Sequence, residues 1–367
     1  MYPRSVTLCA VVTAYSQVGC FYPLQGYRSK QKEPSGKRKI VFNPKHGIQD
    51  EQIDVPCGQC IGCKLERSKN WAIRCVHEAS MHADNAFITL TYRPEDLPEN
   101  GNLVKRDFQD FMKALRHHFN RDIPEYLDNE KTVKNPAFRK IRYYMCGEYG
   151  SQYDDQGNQI TKTYIINGKE KQIPIVGRPH FHACLFGVDF PDKEHWQTRL
   201  GIPLYRSATL EKLWTKGYSS IGEVNFQSAA YVARYVAKKM NGDYAETPSQ
   251  EDGLTHYQVI TEDGEIFNRQ EEYTNMSRRP GIGKDWFEHY TTDVFEHDSV
   301  IINGKEVKPP RYYDNLYEQI DEVGYENVKE KRRIAALNSA KDNNLDRLRA
   351  KETVKLAQVK MLKRELN

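Results

Sequence analysis

A chain of 367 residues has room for about two domains. Its hydrophobic content of 38 %, with 23 Tyr and 14 Phe, suits one well-packed domain carrying polar insertions. Lys and Arg number 54 against 50 Asp and Glu, a net charge of only +4, so any nucleic-acid surface must come from local clustering rather than from overall charge. The apolar run from Val6 to Val12 is brief and lacks a small-residue cleavage site, which argues against a signal peptide. No stretch approaches the roughly 20 apolar residues that span a bilayer, so a soluble protein with no membrane partner is expected. Eight cysteines in a chain of this length fit a reducing, intracellular setting better than a disulfide framework.

Residues 1–55 carry little periodicity and are expected to form a loop-rich N-terminal extension. A helix is expected over 63–82. The run 86–92, rich in β-branched and aromatic residues and stopped by Pro94, is a strand. Phe108, Phe111, Met112, Leu115 and Phe119 mark a helix over 107–119. A second strand covers 141–148. The polar stretch 151–174, with two Gly-centred turns, is an excursion between strands. A third strand at 180–186, a short helix at 209–217, a fourth strand at 221–226 and a helix at 227–240 complete the series. Residues 246–315 read as an irregular accessory region and 316–367 as a charged helical tail. The order points to an α+β fold over 56–245, a central antiparallel sheet flanked by helices.

Pro179-His180-Phe181-His182 carries the clearest chemistry. Alternation along a strand turns His180 and His182 to one face, about 7 Å apart, while Phe181 and Ala183 anchor the other face in the core. Two imidazoles so placed can hold one divalent cation, and a third, oxygen ligand would suit Mg²⁺ or Mn²⁺. Glu148 closes the preceding strand, and antiparallel pairing across 151–176 would bring it beside the histidines. The bland alternative is that these groups hydrogen-bond within a sheet.

Downstream, Tyr231 and Tyr235 stand four residues apart on one helical face with Lys238 on or beside it, and Ala229, Ala230, Ala233 and Ala237 let the helix pack closely. A phenol has a pKa of about 10 and attacks phosphorus usefully only where positive charge neutralises the phosphate. Alone, such a pair is ordinary packing; beside the histidine strand it becomes a pair of nucleophiles.

Phe87-Ile88-Thr89-Leu90-Thr91-Tyr92, Pro179-His180-Phe181-His182 and Tyr231 to Lys238 follow the order of three motifs, and the chain resembles the HUH endonucleases that initiate rolling-circle replication. Val55 to Cys63, Cys146 to Gly150 and Ser277 to Gly283 resemble, more narrowly, the replication initiators of small single-stranded DNA phages of the microvirus group, gokushovirus type. The resemblance covers roughly residues 20–315. It implies an RRM-like sheet and a cation on His180, His182 and Glu148. It also implies a tyrosine nucleophile leaving a 5′-phosphotyrosine and a free 3′-OH, with Lys238 neutralising charge or protonating the leaving oxygen. Tyr231 is favoured as the first nucleophile and Tyr235 as the second. The implied partners are a single-stranded DNA origin and the host replication polymerase and helicase, in the bacterial cytoplasm. The first 19 residues and the tail after 315 fall outside it.

Cys57, Cys60 and Cys63 stand at three-residue spacing, able to converge on a structural zinc ion with Cys75 or His77 as fourth ligand. The bacterial iron–sulfur spacing would want a cysteine at 67, where Arg67 stands. For single-stranded DNA, Lys64, Arg67, Lys69 and Arg74 around Trp71, and Arg278, Arg279 and Lys284 near Trp286, combine charge with stacking surfaces. Two other functions compete: a zinc-stabilised nucleic-acid-binding protein without catalysis, and an HUH relaxase or transposase.

Overall fold

The computed structural model describes residues 19–361 apart from 35, 37, 124–125, 129–130, 134–136, 200, 239–242 and 339. The side chains of 126–128, 131–133, 235–238, 243–244, 340–341 and 360–361 also lie outside the description. The apolar run at 6–12 and most of the first 19 residues therefore fall outside the described residues. The chain forms two compact units, one of residues 71–289 and one that joins residues up to 70 with those from 290 on.

The unit of residues 71–289 is built on a seven-stranded sheet. Its order is Glu194–Arg199, Ile202–Arg206, Gly217–Gly222, Asn85–Tyr92, Val176–Phe186, Arg142–Ser151 and Tyr273–Met276, and every neighbouring pair is antiparallel. The fold is α+β, as the element order predicts. Period-two alternation decides the faces. Phe181, Ala183 and Leu185 of the central strand join Ile88, Leu90 and Met145 in one apolar core. Phe108, Phe111, Met112 and Leu115 from the helix Lys105–Asn120 seal that core, together with Trp214. His180, His182 and Cys184 point the other way, onto a face covered in part by the helix Phe226–Lys238 and by Trp71, stacked on Tyr144 at 4.7 Å.

Two glycines let the sheet close up beside the histidines. A Cβ on Gly177 would lie 2.5 Å from the carbonyl oxygen of Gly150, so only hydrogen fits where these two strands cross at a register shift. The polar excursion contains a hairpin, Thr161–Ile166 with Lys169–Pro174. Its turn residues Asn167 and Gly168 both have positive φ, 52° and 71°, the conformation that a two-residue hairpin turn demands.

The fourth expected strand lies earlier than expected, at Gly217–Gly222 rather than 221–226. Asn225 explains the difference: its side-chain oxygen accepts from the amides of Gln227 and Ser228 at 2.9 and 3.0 Å, so Phe226 already begins the helix.

In the other unit, residues expected to be loop-rich form a three-stranded antiparallel sheet of Arg38–Val41, Leu24–Lys32 and Gly47–Val55. The helical C-terminal part comprises Arg311–Ile320, Glu322–Asn338 and Leu345–Met361. Arg332 ties it together, donating to Asp298 at 2.8 Å and to Asp314 at 2.9 Å.

Candidate functional site

Glu148 sits directly opposite His180 in the register of the Arg142–Ser151 and Val176–Phe186 strands, and His182 lies two residues further along the same face. One ligand atom from each of Glu148, His180 and His182 falls within 4.8 Å of the others. Glu148 Oε1 lies 2.9 Å from His180 Nε2 and 3.0 Å from His182 Nε2. All three side chains are buried, Glu148 completely. The remaining nitrogens are held from behind: His180 Nδ1 is 3.1 Å from the carbonyl of Arg178, and His182 Nδ1 is 2.9 Å from Thr89 Oγ1. Thr89 faces His182 across the neighbouring strand.

Burial alone would raise the Glu148 carboxyl, yet the two imidazoles outweigh it and hold the group below its ordinary value. Among the described residues no donor reaches the second carboxylate oxygen, Oε2, although it is buried. A buried carboxylate oxygen without a donor is costly. Two nitrogens and a carboxylate that converge with an oxygen to spare form a donor set that fits a divalent cation.

The helix Phe226–Lys238 places Tyr231 against this cluster. Its ring centroid lies 5.0 Å from that of His182 at an interplanar angle of 89°, and Phe87 packs edge-on to the same ring at 6.5 Å. Ala229, Val232 and Ala233 are fully or almost fully buried and bring the helix close to the sheet. Arg234 sets its guanidinium 6.0 Å from the Tyr231 ring centroid. The side chains of Tyr235 and Lys238 lie outside the described residues.

The cysteine cluster assembles differently from expectation. The fourth sulfur beside Cys57, Cys60 and Cys63 is that of Cys20, not Cys75. Cys63 and Cys75 share the helix Ile61–Ser80, and a helix that advances about 1.5 Å per residue keeps two such thiols from meeting one ion. Cys75 is instead buried beside Cys184, where burial pushes its thiol well above its ordinary value. His77, the other expected fourth ligand, is stacked on Trp286 at 3.5 Å, and burial pulls its pKa down to about 3.

The two expected DNA patches are partly consumed by packing. Arg74 lies over the Trp71 ring at 4.0 Å and donates to the carbonyl of Ile282 at 3.0 Å, while Trp286 is engaged with His77. Arg278 and Arg279 remain exposed. The segment that carries them docks through its backbone: Pro280 accepts from Arg142 at 2.9 Å and the Gly283 amide donates to Glu78 at 2.7 Å. Glu78 and Arg142 form a buried ion pair, which no local sequence pattern announces.

The sequence matches the family model for the ORF2-type replication-associated protein over residues 85–159 and 155–240, which include Glu148, both histidines and both tyrosines. It is also 32 % identical over 283 residues to the replication-associated protein VP4 of Bdellovibrio phage phiMH2K, covering 76 % of this chain and 73 % of that one. The chain belongs to the phage replication-associated protein family. Other members of this family are similar over comparable lengths. Replication-associated protein ORF2 of Spiroplasma virus 4 is 27 % identical over 339 residues, covering 87 % of each chain. Replication-associated protein ORF4 of Chlamydia phage 1 is 25 % identical over 281 residues, covering 75 % of this chain and 56 % of that one. No solved structure matches this phage replication-associated protein. Among the described residues no helix is long and apolar enough to cross a membrane.

Proposed function

We propose that this chain initiates rolling-circle replication of a phage genome by nicking single-stranded DNA with a tyrosine at a cation site, in the manner of HUH endonucleases. The observation that carries this reading is the Tyr231 ring at 5.0 Å from His182, which itself meets Glu148 and His180 in one buried cluster. Glu148, His180 and His182 would hold Mg²⁺ or Mn²⁺. When bound there, such a cation supplies the positive charge that makes a phosphate electrophilic.

Tyr231 Oη then attacks phosphorus, the bond to the 3′ oxygen breaks, and the DNA 5′ phosphate remains on the tyrosine. The phenol loses one proton and the departing 3′ oxygen gains one, a transfer to which Lys238 is assigned. The released 3′-OH primes a host polymerase, with a host helicase opening the duplex. Tyr235 would cut the regenerated origin and allow the strand to be joined. Thr89 and the Arg178 carbonyl keep the two imidazoles turned toward Glu148. A relaxase or transposase would run the same chemistry; the replication-associated relatives favour the initiator.

The test is a cleavage assay with end-labelled single-stranded phage DNA and Mn²⁺. Wild type should nick, chelation with EDTA should stop it, and His180→Ala should abolish nicking while DNA binding and the melting transition persist. Nicking that survives both chelation and His180→Ala would rule the proposal out.

A further inference from the structure

The cluster of Cys20, Cys57, Cys60 and Cys63 lies outside the nicking chemistry, and its geometry is that of a binding site for a single ion. The four sulfurs fall within 4.8 Å of one another, with Cys57 and Cys63 4.0 Å apart. All four are free cysteines, and 4.0 Å is about twice a disulfide bond length of roughly 2.05 Å. A tetrahedral ion with metal–sulfur bonds of about 2.3 Å would hold its sulfurs roughly 3.8 Å apart, close to what is found. An iron–sulfur cluster places its own atoms between the thiolates and would hold them further apart.

The backbone is arranged to favour sulfur in its charged form. The amide of Cys57 donates to Cys20 Sγ at 3.2 Å, that of Cys60 to Cys57 Sγ at 3.3 Å, and that of Phe21 to Cys60 Sγ at 3.4 Å. Hydrogen bonds to the ionised form stabilise it. Gly58, with φ +75°, turns the chain between the first two thiols, and Arg67 pins that turn by donating to its carbonyl at 3.3 Å. Gly62 admits the incoming segment: a Cβ there would lie 1.4 Å from the carbonyl oxygen of Gly19.

We propose that Cys20, Cys57, Cys60 and Cys63 bind one zinc ion as four thiolates, clipping residues 19–21 to the start of the helix Ile61–Ser80. The sheet explains why a clip is needed. Its strands pair from Leu24 opposite Val55, so Cys20 and Cys57 sit just beyond the open end. Most residues of these strands are exposed or half-buried, with Ile53 among the few that are buried. A sheet with so little core gains from a metal staple. Binding expels the thiol protons, so loading also releases acid.

The test uses the full chain, purified without chelator. Elemental analysis should find one equivalent of zinc, retained in Cys75→Ser and in the His180→Ala, His182→Ala double variant. Cys20→Ser and Gly62→Ala should lose it. Cobalt substitution should give the charge-transfer and ligand-field absorption of a four-thiolate tetrahedral site. Cys20→His, which keeps a ligand, should retain one ion with a shifted cobalt spectrum, even where Cys20→Ser folds poorly. Wild type that binds no zinc on anaerobic loading, that carries iron instead, or whose Cys20→Ser variant keeps the four-thiolate spectrum would overturn the assignment.

Discussion

Thr89→Val probes the cation site without touching any of its three ligands. The hydroxyl stands 2.9 Å from Nδ1 of His182, an imidazole that is 1 % exposed, and Nε2 of the same ring lies 3.0 Å from Glu148. Valine nearly matches threonine in volume but cannot hydrogen-bond. The substitution therefore removes the partner that fixes the ring's orientation while leaving the packing almost intact. Partners of this kind are worth about 10–100-fold in metal affinity, or roughly 1.4–2.7 kcal/mol. The assay is a Mn²⁺ titration of single-turnover nicking. Half-saturation should move up by about one to two decades, and the rate at saturating Mn²⁺ should largely recover. The loss in folding stability should stay within the roughly 1–3 kcal/mol of a disrupted buried hydrogen bond. An unchanged half-saturation would show that Thr89 does not orient a ligand. A folded variant that no Mn²⁺ concentration rescues would show that the cation is not what Thr89 serves.

Further outcomes follow from the same geometry. Glu148→Gln keeps the shape of the side chain and removes its charge, so Mn²⁺ should no longer raise the melting temperature as it does for wild type; an equal shift in both proteins would dismiss Glu148 as a ligand. Glu78→Ala should cost about 3–5 kcal/mol in denaturant unfolding, because it leaves Arg142 buried without its carboxylate; a loss below about 1 kcal/mol would contradict the weight given to this pair. Burial alone would raise the Glu78 carboxyl, but His82, the Gly283 amide and Arg142 together hold it below its ordinary value of 4.5. Its contribution to stability is thus fully present above that value and lost as pH falls through the lowered folded one. Glu78→Gln should flatten the acid side of the stability profile, and a profile parallel to wild type would refute the linkage. Phe181→Ala, which empties a fully buried position behind the histidines, should cost about 3–5 kcal/mol; thermal unfolding would expose a smaller effect.

How much of this was legible in the amino-acid sequence depended on whether a signal was local. His180 and His182 could be read because a strand has a period of two and both neighbours, Phe181 and Ala183, are core residues. Glu148 could be placed because antiparallel pairing across the 151–176 excursion leaves little choice of partner, and the register sets it opposite His180. Thr89 lies within a recognisable strand, but its role depends on which strand pairs on the far side of the histidines. Cys20 carries no spacing signal at all, because it reaches the other thiols only when the Leu24–Val55 sheet folds back. The Tyr273–Met276 edge strand is short and polar, and its existence depends on pairing with Arg142–Ser151 rather than on its own propensity. The Glu78–Arg142 pair joins residues 64 positions apart, so only the folded sheet reveals it.

The proposed chemistry joins a tyrosine of the helix Phe226–Lys238 covalently to DNA. Incubation of the full chain with Mn²⁺ and single-stranded origin DNA, followed by nuclease trimming and mass spectrometry of the tryptic peptides, tests it directly. The expected result is a nucleotide adduct on Tyr231, transfer of the adduct to Tyr235 or a sharp loss in Tyr231→Phe, and none in the double Tyr231→Phe, Tyr235→Phe variant. An adduct that persists in the double variant, or cleavage that proceeds with no adduct at all, would contradict it.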